Sequence, residues 1–364
     1  MNIIQLRDTL FRGGIEVLLL DVCKNGKTKG LNFFVVTFNE GDLVNDFIEN
    51  GIEVIKIKRN KPIDLKVIKE LRKIIIEKNI NVIHSHQALE GLYAYLATRG
   101  LNVKNIISHH GSVYPIKDKL VMKFLIKNVF ANIAVSNSYL KRLKEEESFN
   151  TKNNFHVVYN GIDGSKLEKA DGNLKNELIL PKNSLLLGMI GNFNNSGRDQ
   201  FTICKVLPKI YEKYNNVNFV FVGGWNNGPA SSYKKCYEFC KEKGILDKTF
   251  FLGKRSDIGN ILKSLDIFVY SSNHDTFGIA VVEAMFCGIP AVINDIPPML
   301  EISKNGEFAK IFKSKDEDDL YNNLSQILDS EELRQNLSFD SKEWAKSNFS
   351  IDLHINNLAK IYRS

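Results

Sequence analysis

Two carboxylates stand eight positions apart in the stretch SSNHDTFGIAVVEAMFCGIPAVIN, residues 271–294: Asp275 in a polar loop and Glu283 inside an apolar run. A carboxylate cannot be buried cheaply without a hydrogen-bond partner, so something polar must meet Glu283. The turn Thr276, Phe277, Gly278 and Ile279 between the two acids reads as the start of a helix, whose first amides and positive dipole end point outward. Arg198, in GNFNNSGRD (191–199), follows another apolar run and supplies a guanidinium. A diphosphate would satisfy both the cation and the helix tip. Glu283 could then accept bonds from ribose hydroxyls, each contributing about 1.5–3 kcal/mol, and Asp275 could accept from sugar hydroxyls. Blander readings stand beside these: Asp275 as a solvated turn or helix cap, Glu283 as half of an internal ion pair.

A second group lies in the first half of the chain. Gly13 and Gly14, in FRGGIE, either form a plain tight turn or present amides to a ligand at a helix N-terminus. HSH (84–86) places His84 and His86 on one face of an extended segment, and SHHGS (108–112) places His109 and His110 on opposite faces. His84 and His86 lack a third ligand at metal-binding spacing. The dinucleotide fingerprint G-x-G-x-x-G is absent, which argues against a nicotinamide enzyme.

These groups all sit where strands would end. NIIQL, LNFFVVTF, EVIKIK, NVIHSH, NIISHH, NIAVS and FHVVYN are short apolar runs separated by helical patterns such as DLKVIKELRKIIIEKN. In the latter Asp64 can cap, and Leu65, Ile68, Leu71 and Ile75 recur at helical spacing. After a Gly-, Asn- and charge-rich stretch at 164–183, read as a linker, the alternation restarts with SLLLGMIG, VNFVFVGG, KTFFLG, LDIFVYSS, IPAVIN and FAKIF. Strand–helix alternation predicts an α/β fold of two Rossmann-like, doubly wound domains facing across a cleft. Ligands of such sheets bind beyond the carboxyl ends of the strands. The expected domains are 1–170, 171–345, and a terminal helix at 346–364 packing back toward the first.

A length of 364 residues suits two domains, and 43% apolar with 25% charged residues is the balance of a water-soluble globular chain. The net charge of +7 is mild and fits an anionic substrate, a membrane surface or merely a Lys-rich genome. No basic tract with interleaved aromatics supports nucleic-acid binding. Five scattered cysteines, an odd number, suit a reducing compartment. Cys236 and Cys240, one helical turn apart, read as small apolar residues on one face. MNIIQL is too short for a signal peptide, and no window is long and apolar enough to span a bilayer, so the expectation is a cytoplasmic protein. Lys117, Lys119, Lys123 and Lys127 interleave with apolar residues in PIKDKLVMKFLIKNVF, the pattern of either a helix resting on an anionic membrane or an ordinary amphipathic helix. The Asp-x-Asp pattern in KDEDDLYNNLSQIL opens a helical run, where acids cap.

The run HDTFGIAVVEAMFCGIPAV resembles the E-x7-E signature of retaining glycosyltransferases of family 4, the GT-B fold. GGIE, VIHSH, HHG, AVSNS, VYNGID, VGG, FLGKRSDI, LDIFVYSS and FSIDLHINNLAKIY extend the resemblance over nearly the whole chain. It implies transfer of a hexose-type sugar from a nucleotide-sugar, a UDP-sugar, to a glycan or lipid-linked acceptor in surface polysaccharide assembly, with retention and no required metal or cofactor. It implies that Glu283 is the ribose-binding acid, that Asp275 replaces the usual first Glu, and that Arg198 stands where relatives place a phosphate-binding Lys. Asn192 takes the place of a second phosphate-binding Arg, for which Lys254 could compensate. His110 matches the active-site His near the anomeric centre, with His109 as the alternative, and His84 and His86 would line the acceptor side. A sugar-nucleotide epimerase of the same fold and a catalytically silent nucleotide-binding paralogue are the competing readings.

Overall fold

The computed structural model describes residues 1–111, 115–152, 154–193, 197–225 and 231–364. Positions 112 and 194–196, within two of the loops quoted above, lie outside the described residues. The chain divides into two compact units, Met1–Gly161 with Ile351–Ser364, and Ile162–Ser350.

In the first unit, among the described residues, seven strands form a wholly parallel sheet: β1 (Asn2–Arg7), β2 (Asn32–Thr37), β3 (Glu53–Lys56), β4 (Val82–Ser85), β5 (Lys104–His109), β6 (Ala131–Ala134) and β7 (Phe155–Val157), ordered β3-β2-β1-β4-β5-β6-β7. Helices cover both faces, which is why β1, β4 and β6 are buried at nearly every position. The order reverses between β1 and β4. Helix Leu65–Glu77 begins where expected, with the Asp64 carboxylate accepting from the Lys66 amide at 3.0 Å. Its buried stripe is Val67, Leu71 and Ile75, whereas Leu65 is 70% exposed. The first-turn position faces away from the sheet, so the expected stripe is shifted.

In the second unit six described strands form a parallel sheet: β8 (Leu185–Ile190), β9 (Val217–Val222), β10 (Thr249–Phe251), β11 (Ile267–Tyr270), β12 (Ala291–Asn294) and β13 (Lys310–Phe312), ordered β10-β9-β8-β11-β12-β13. Its order reverses between β8 and β11. Asp316 accepts from the Asp319 amide at 2.9 Å and caps helix Glu317–Asp329, the capping reading of the Asp-x-Asp pattern.

The unit boundary falls at 161/162 rather than 170/171. The stretch read as a linker instead carries helices Gly164–Glu168 and Leu174–Glu177. Ile162 pairs with Ser350, and Gly164 lies against Phe286, so this segment is part of the second unit. The terminal helix is Ile351–Arg363, starting after Ser350 rather than at 346. Its Ile355, Leu358 and Tyr362 join the core of the first unit with Ile3, Leu19 and Cys23. Gly161 admits it: a Cβ there would lie 2.8 Å from Ile351 Cα.

Candidate functional site

A reversal of strand order sends the flanking loops to opposite faces and leaves room for a ligand at the carboxyl ends. In the second unit those loops follow β8 and β11. They are zipped together: Arg198 bridges Ser272, the Asp199 amide donates to Ser271 O at 3.0 Å, and the Asn273 amide donates to Gly197 O at 2.8 Å. This brings Arg198 and Asp275, 77 positions apart in sequence, to 3.2 Å. The guanidinium lies 5.2 Å over the Tyr270 ring, and its Nη1 also donates to Ser272 Oγ at 3.2 Å.

Asp275 differs from the expected hydroxyl acceptor. Its Oδ2 takes the Tyr270 hydroxyl at 2.7 Å as well as Arg198, and its Oδ1 takes the amides of Thr276 at 2.8 Å and Phe277 at 3.3 Å. With the side chain 11% exposed, the carboxylate is committed to its own loop. Helix Ile279–Phe286 follows. Gly278 sits before it at φ +99°, a left-handed conformation that glycine adopts without a Cβ clash, and this bend aims the helix start. The amides of Ile279 and Ala280 have no intrahelical acceptor. Phe277 is buried against Phe349 and anchors the turn.

Glu283 lies one turn further, about 6 Å along the helix axis. It is half-buried rather than interior. Its charge bears on Cys287, whose thiol is pushed up to about 11, first by burial and then by Glu283. Beside this group, Asn192 Oδ1 accepts from the Gly224 amide at 2.8 Å and pins the end of β9 to the end of β8. A Cβ on Gly224 would lie 3.9 Å from Lys254 Cβ, so exposed Lys254 stands next to Asn192.

In the first unit the reversal puts the ends of β1 and β4 together. Buried Arg7 is shared between the carboxylates of Glu16 and Glu90. Glu90 also accepts from the amides of Asp8 at 2.7 Å and His86 at 2.9 Å, and burial pushes its carboxyl above the usual range despite Arg7. Glu16 occupies the first turn of helix Gly14–Gly26 and complements its dipole from within the chain. An anion at Gly14 would therefore meet a turn already holding its own carboxylate.

The histidines separate by burial. His109 is fully buried, its Nε2 3.0 Å from Asn132 Oδ1, and burial pulls it down to about 4. His84 is 1% exposed and pulled down to about 3, again by burial. Neither can line an acceptor surface; both are interior, correcting that expectation. His86 is buried and stacks on half-buried His110 at 5.3 Å. A cavity of about 20 Å³, room for one water, lies beside them against Asn160, whose Oδ1 is buried and has no partner among the described residues. Among those residues no group of three or more His, Cys, Asp or Glu is arranged to hold a metal.

Sequence reasoning missed Arg7, Glu16 and Glu90, although Glu90 in ALEGLYAYLA carries the same signal as Glu283: an acid inside an apolar helix. Tyr270, at the end of an apolar strand, gave no signal.

Two family patterns match: the description "Glyco_transf_4: Glycosyltransferase Family 4" over residues 12–166 and "Glycosyl transferases group 1" over 171–344. Relatives include N-acetyl-alpha-D-glucosaminyl L-malate synthase of Bacillus anthracis, 24% identical over 87% of this chain and 83% of that protein. Another is UDP-Gal:alpha-D-GlcNAc-diphosphoundecaprenol alpha-1,3-galactosyltransferase of Escherichia coli, 24% identical over 82% and 79%. The crystal structure of Anabaena HepE in complex with UDP and glucose shares the fold with a TM-score of 0.85, at 18% identity over 99% of this chain and 98% of that one. With one pattern on each half and the same fold throughout, the chain belongs to glycosyltransferase family 4 and is a glycosyltransferase.

Proposed function

We propose that this enzyme moves a sugar from a UDP-sugar to a lipid-linked acceptor, with retention of anomeric configuration, in the assembly of a surface polysaccharide. The observation that carries the reading is the zipping of the β8 and β11 loops, which delivers Arg198 to the mouth of helix Ile279–Phe286. A guanidinium and free helix amides there suit the diphosphate, and Lys254 adds a cation on the same rim. Glu283, a turn deeper, takes the ribose hydroxyls. Asp275 holds Arg198 and the loop in place, and His110 faces the sugar. As the sugar departs, negative charge grows on the leaving phosphate, and Arg198 with the helix tip stabilises it where it develops. The hydrogen bonds that occupy Asp275 disfavour it as a nucleophile. This supports same-face attack, with the leaving phosphate accepting the acceptor's proton. UDP bound to the Anabaena neighbour and the lipid-linked acceptor in the E. coli relative's name are consistent with donor and acceptor.

The acceptor's lipid also suits helix Ile116–Asn128. Ile116, Leu120 and Phe124, on one face, are 81%, 66% and 47% exposed, with Lys117, Lys123 and Lys127 exposed around them. Lys119 instead pairs with Glu147 at 3.1 Å. An apolar ridge in a basic frame matches an anionic bilayer surface. No helix of the described residues is long and apolar enough to cross a membrane.

The test is Arg198→Ala, assayed for UDP binding by calorimetry and for turnover with a panel of UDP-sugars. Turnover falls by about 10²–10³. Near-wild-type turnover in a folded variant refutes the phosphate role, and isomerised donor without released UDP refutes transfer.

A further inference from the structure

Two buried imidazoles, His84 and His86, are joined to His110 by an unbroken chain of hydrogen bonds. His110 Nε2 lies 3.2 Å from His86 Nδ1, and His86 Nε2 lies 3.0 Å from Gln5 Oε1. Gln5 Nε2 donates to the Tyr362 hydroxyl at 3.4 Å, that hydroxyl lies 2.7 Å from His84 Nδ1, and His84 Nε2 lies 2.7 Å from Ser108 Oγ. The rings are stacked as well, His84 on His86 at 4.7 Å and His86 on His110 at 5.3 Å. Every link is within the first unit, and Tyr362 comes from its terminal helix.

Such a chain has a direction. A neutral imidazole has one N–H donor and one lone-pair acceptor, whereas an amide has an oxygen that only accepts and a nitrogen that only donates. Gln5 therefore fixes the polarity on both sides. Its oxygen requires His86 to donate from Nε2, which leaves His86 Nδ1 as an acceptor and requires His110 to donate from Nε2. Its nitrogen makes the Tyr362 hydroxyl an acceptor toward Gln5. The Tyr362 proton then goes to His84 Nδ1, and His84 donates from Nε2 to Ser108. Turning the amide over would invert every bond and put all three protons on Nδ1. Mixed arrangements either set two donors or two lone pairs facing each other or leave the buried Tyr362 proton without an acceptor.

We propose that Gln5 and His86 are positioning residues that hold His110 as a neutral Nε2–H tautomer, so that His110 meets the donor sugar through Nδ1 as a hydrogen-bond acceptor and does not act as a proton donor. The functional half of this statement rests on the reading that His110 faces the sugar; the tautomer half does not. Burial holds His86 and His110 well below the ordinary imidazole range, and neighbouring Arg7 acts in the same direction on both, which keeps the rings neutral. Burial likewise keeps the Tyr362 hydroxyl protonated.

The experiment is long-range 1H–15N NMR of the full-length protein labelled at its seven histidines, with assignments from single substitutions, alongside kcat and KM. Expected are Nε2–H shifts for His84, His86 and His110 in the unaltered protein. Tyr362→Phe removes one hydroxyl and no volume of consequence. It should release His84 alone into a tautomer mixture while His86 and His110 keep theirs. Gln5→Leu should release all three and lower kcat about tenfold, the scale of one lost buried hydrogen bond, with the Kd for UDP unchanged. An Nδ1–H His110, tautomers untouched by Gln5→Leu, or a loss of kcat without a change of tautomer each overturns the proposal. Full activity in His110→Ala, with the Nε2–H pattern intact in the unaltered protein, would instead refute the sugar-facing role and leave the relay standing.

Discussion

Asp275→Asn separates a loop clamp from a substrate contact. The amide keeps one oxygen for the Thr276 and Phe277 amides, now 2.8 and 3.3 Å away. Its NH2 replaces the oxygen that faces Arg198 at 3.2 Å, so two donors meet where an ion pair stood. The Tyr270 hydroxyl, 2.7 Å away, loses a charged acceptor. A hydrogen bond to a charged group contributes about 1.5–3 kcal/mol, and the partial exposure of Arg198 trims that. The net loss is about 2 kcal/mol. For a unit the size of Ile162–Ser350, this corresponds to a fall in Tm of about 4–8 °C. Because the guanidinium is released rather than removed, UDP affinity should stay within about threefold. Scanning calorimetry with and without UDP, together with turnover, measures all three quantities. An unchanged Tm with turnover down a hundredfold would show that the carboxylate acts on the substrate and that the clamp reasoning is wrong.

Three further outcomes follow from the same geometry. Gly278→Ala puts a Cβ at φ +99° and against buried Met299 Cε, so it should cost about 1–3 kcal/mol and weaken UDP binding by displacing the helix tip; equal Tm and affinity would contradict this. Acid should loosen the first unit before the second. His84, His109 and His354 have folded-state values of about 3, 4 and 4, below their unfolded value of about 6.5, so the unfolded chain binds their protons first. Their contribution is complete above pH 6.5 and is lost as pH falls from there toward 4, and a first-unit hydrogen-exchange pattern unchanged between pH 7.5 and 5 would refute the assignment. Leu120→Asp with Phe124→Ser should abolish co-sedimentation with anionic vesicles that high salt also weakens; binding of the unaltered protein to neutral vesicles alone would refute the basic-frame reading.

Much of this enzyme was legible in its residues alone because the relevant signals are local. Short apolar runs mark strands and period-3.6 hydrophobicity marks helices over a few residues, and Asp64 and Asp316 cap where an acid precedes an apolar run. The eight-residue spacing of Asp275 and Glu283 locates a loop and a helix turn because chain geometry over so short a distance is nearly fixed. Tertiary structure alone decided which distant groups meet. Arg198 finds Asp275 because β8 and β11 are neighbours in the sheet, and Gln5 finds Tyr362, 357 positions later, because the last helix returns to the first unit. Burial was decided there too. His84 and His109 look like surface ligands in a motif, yet the helices that cover both faces of a parallel sheet bury them, and no local pattern states which helix lies over which strand.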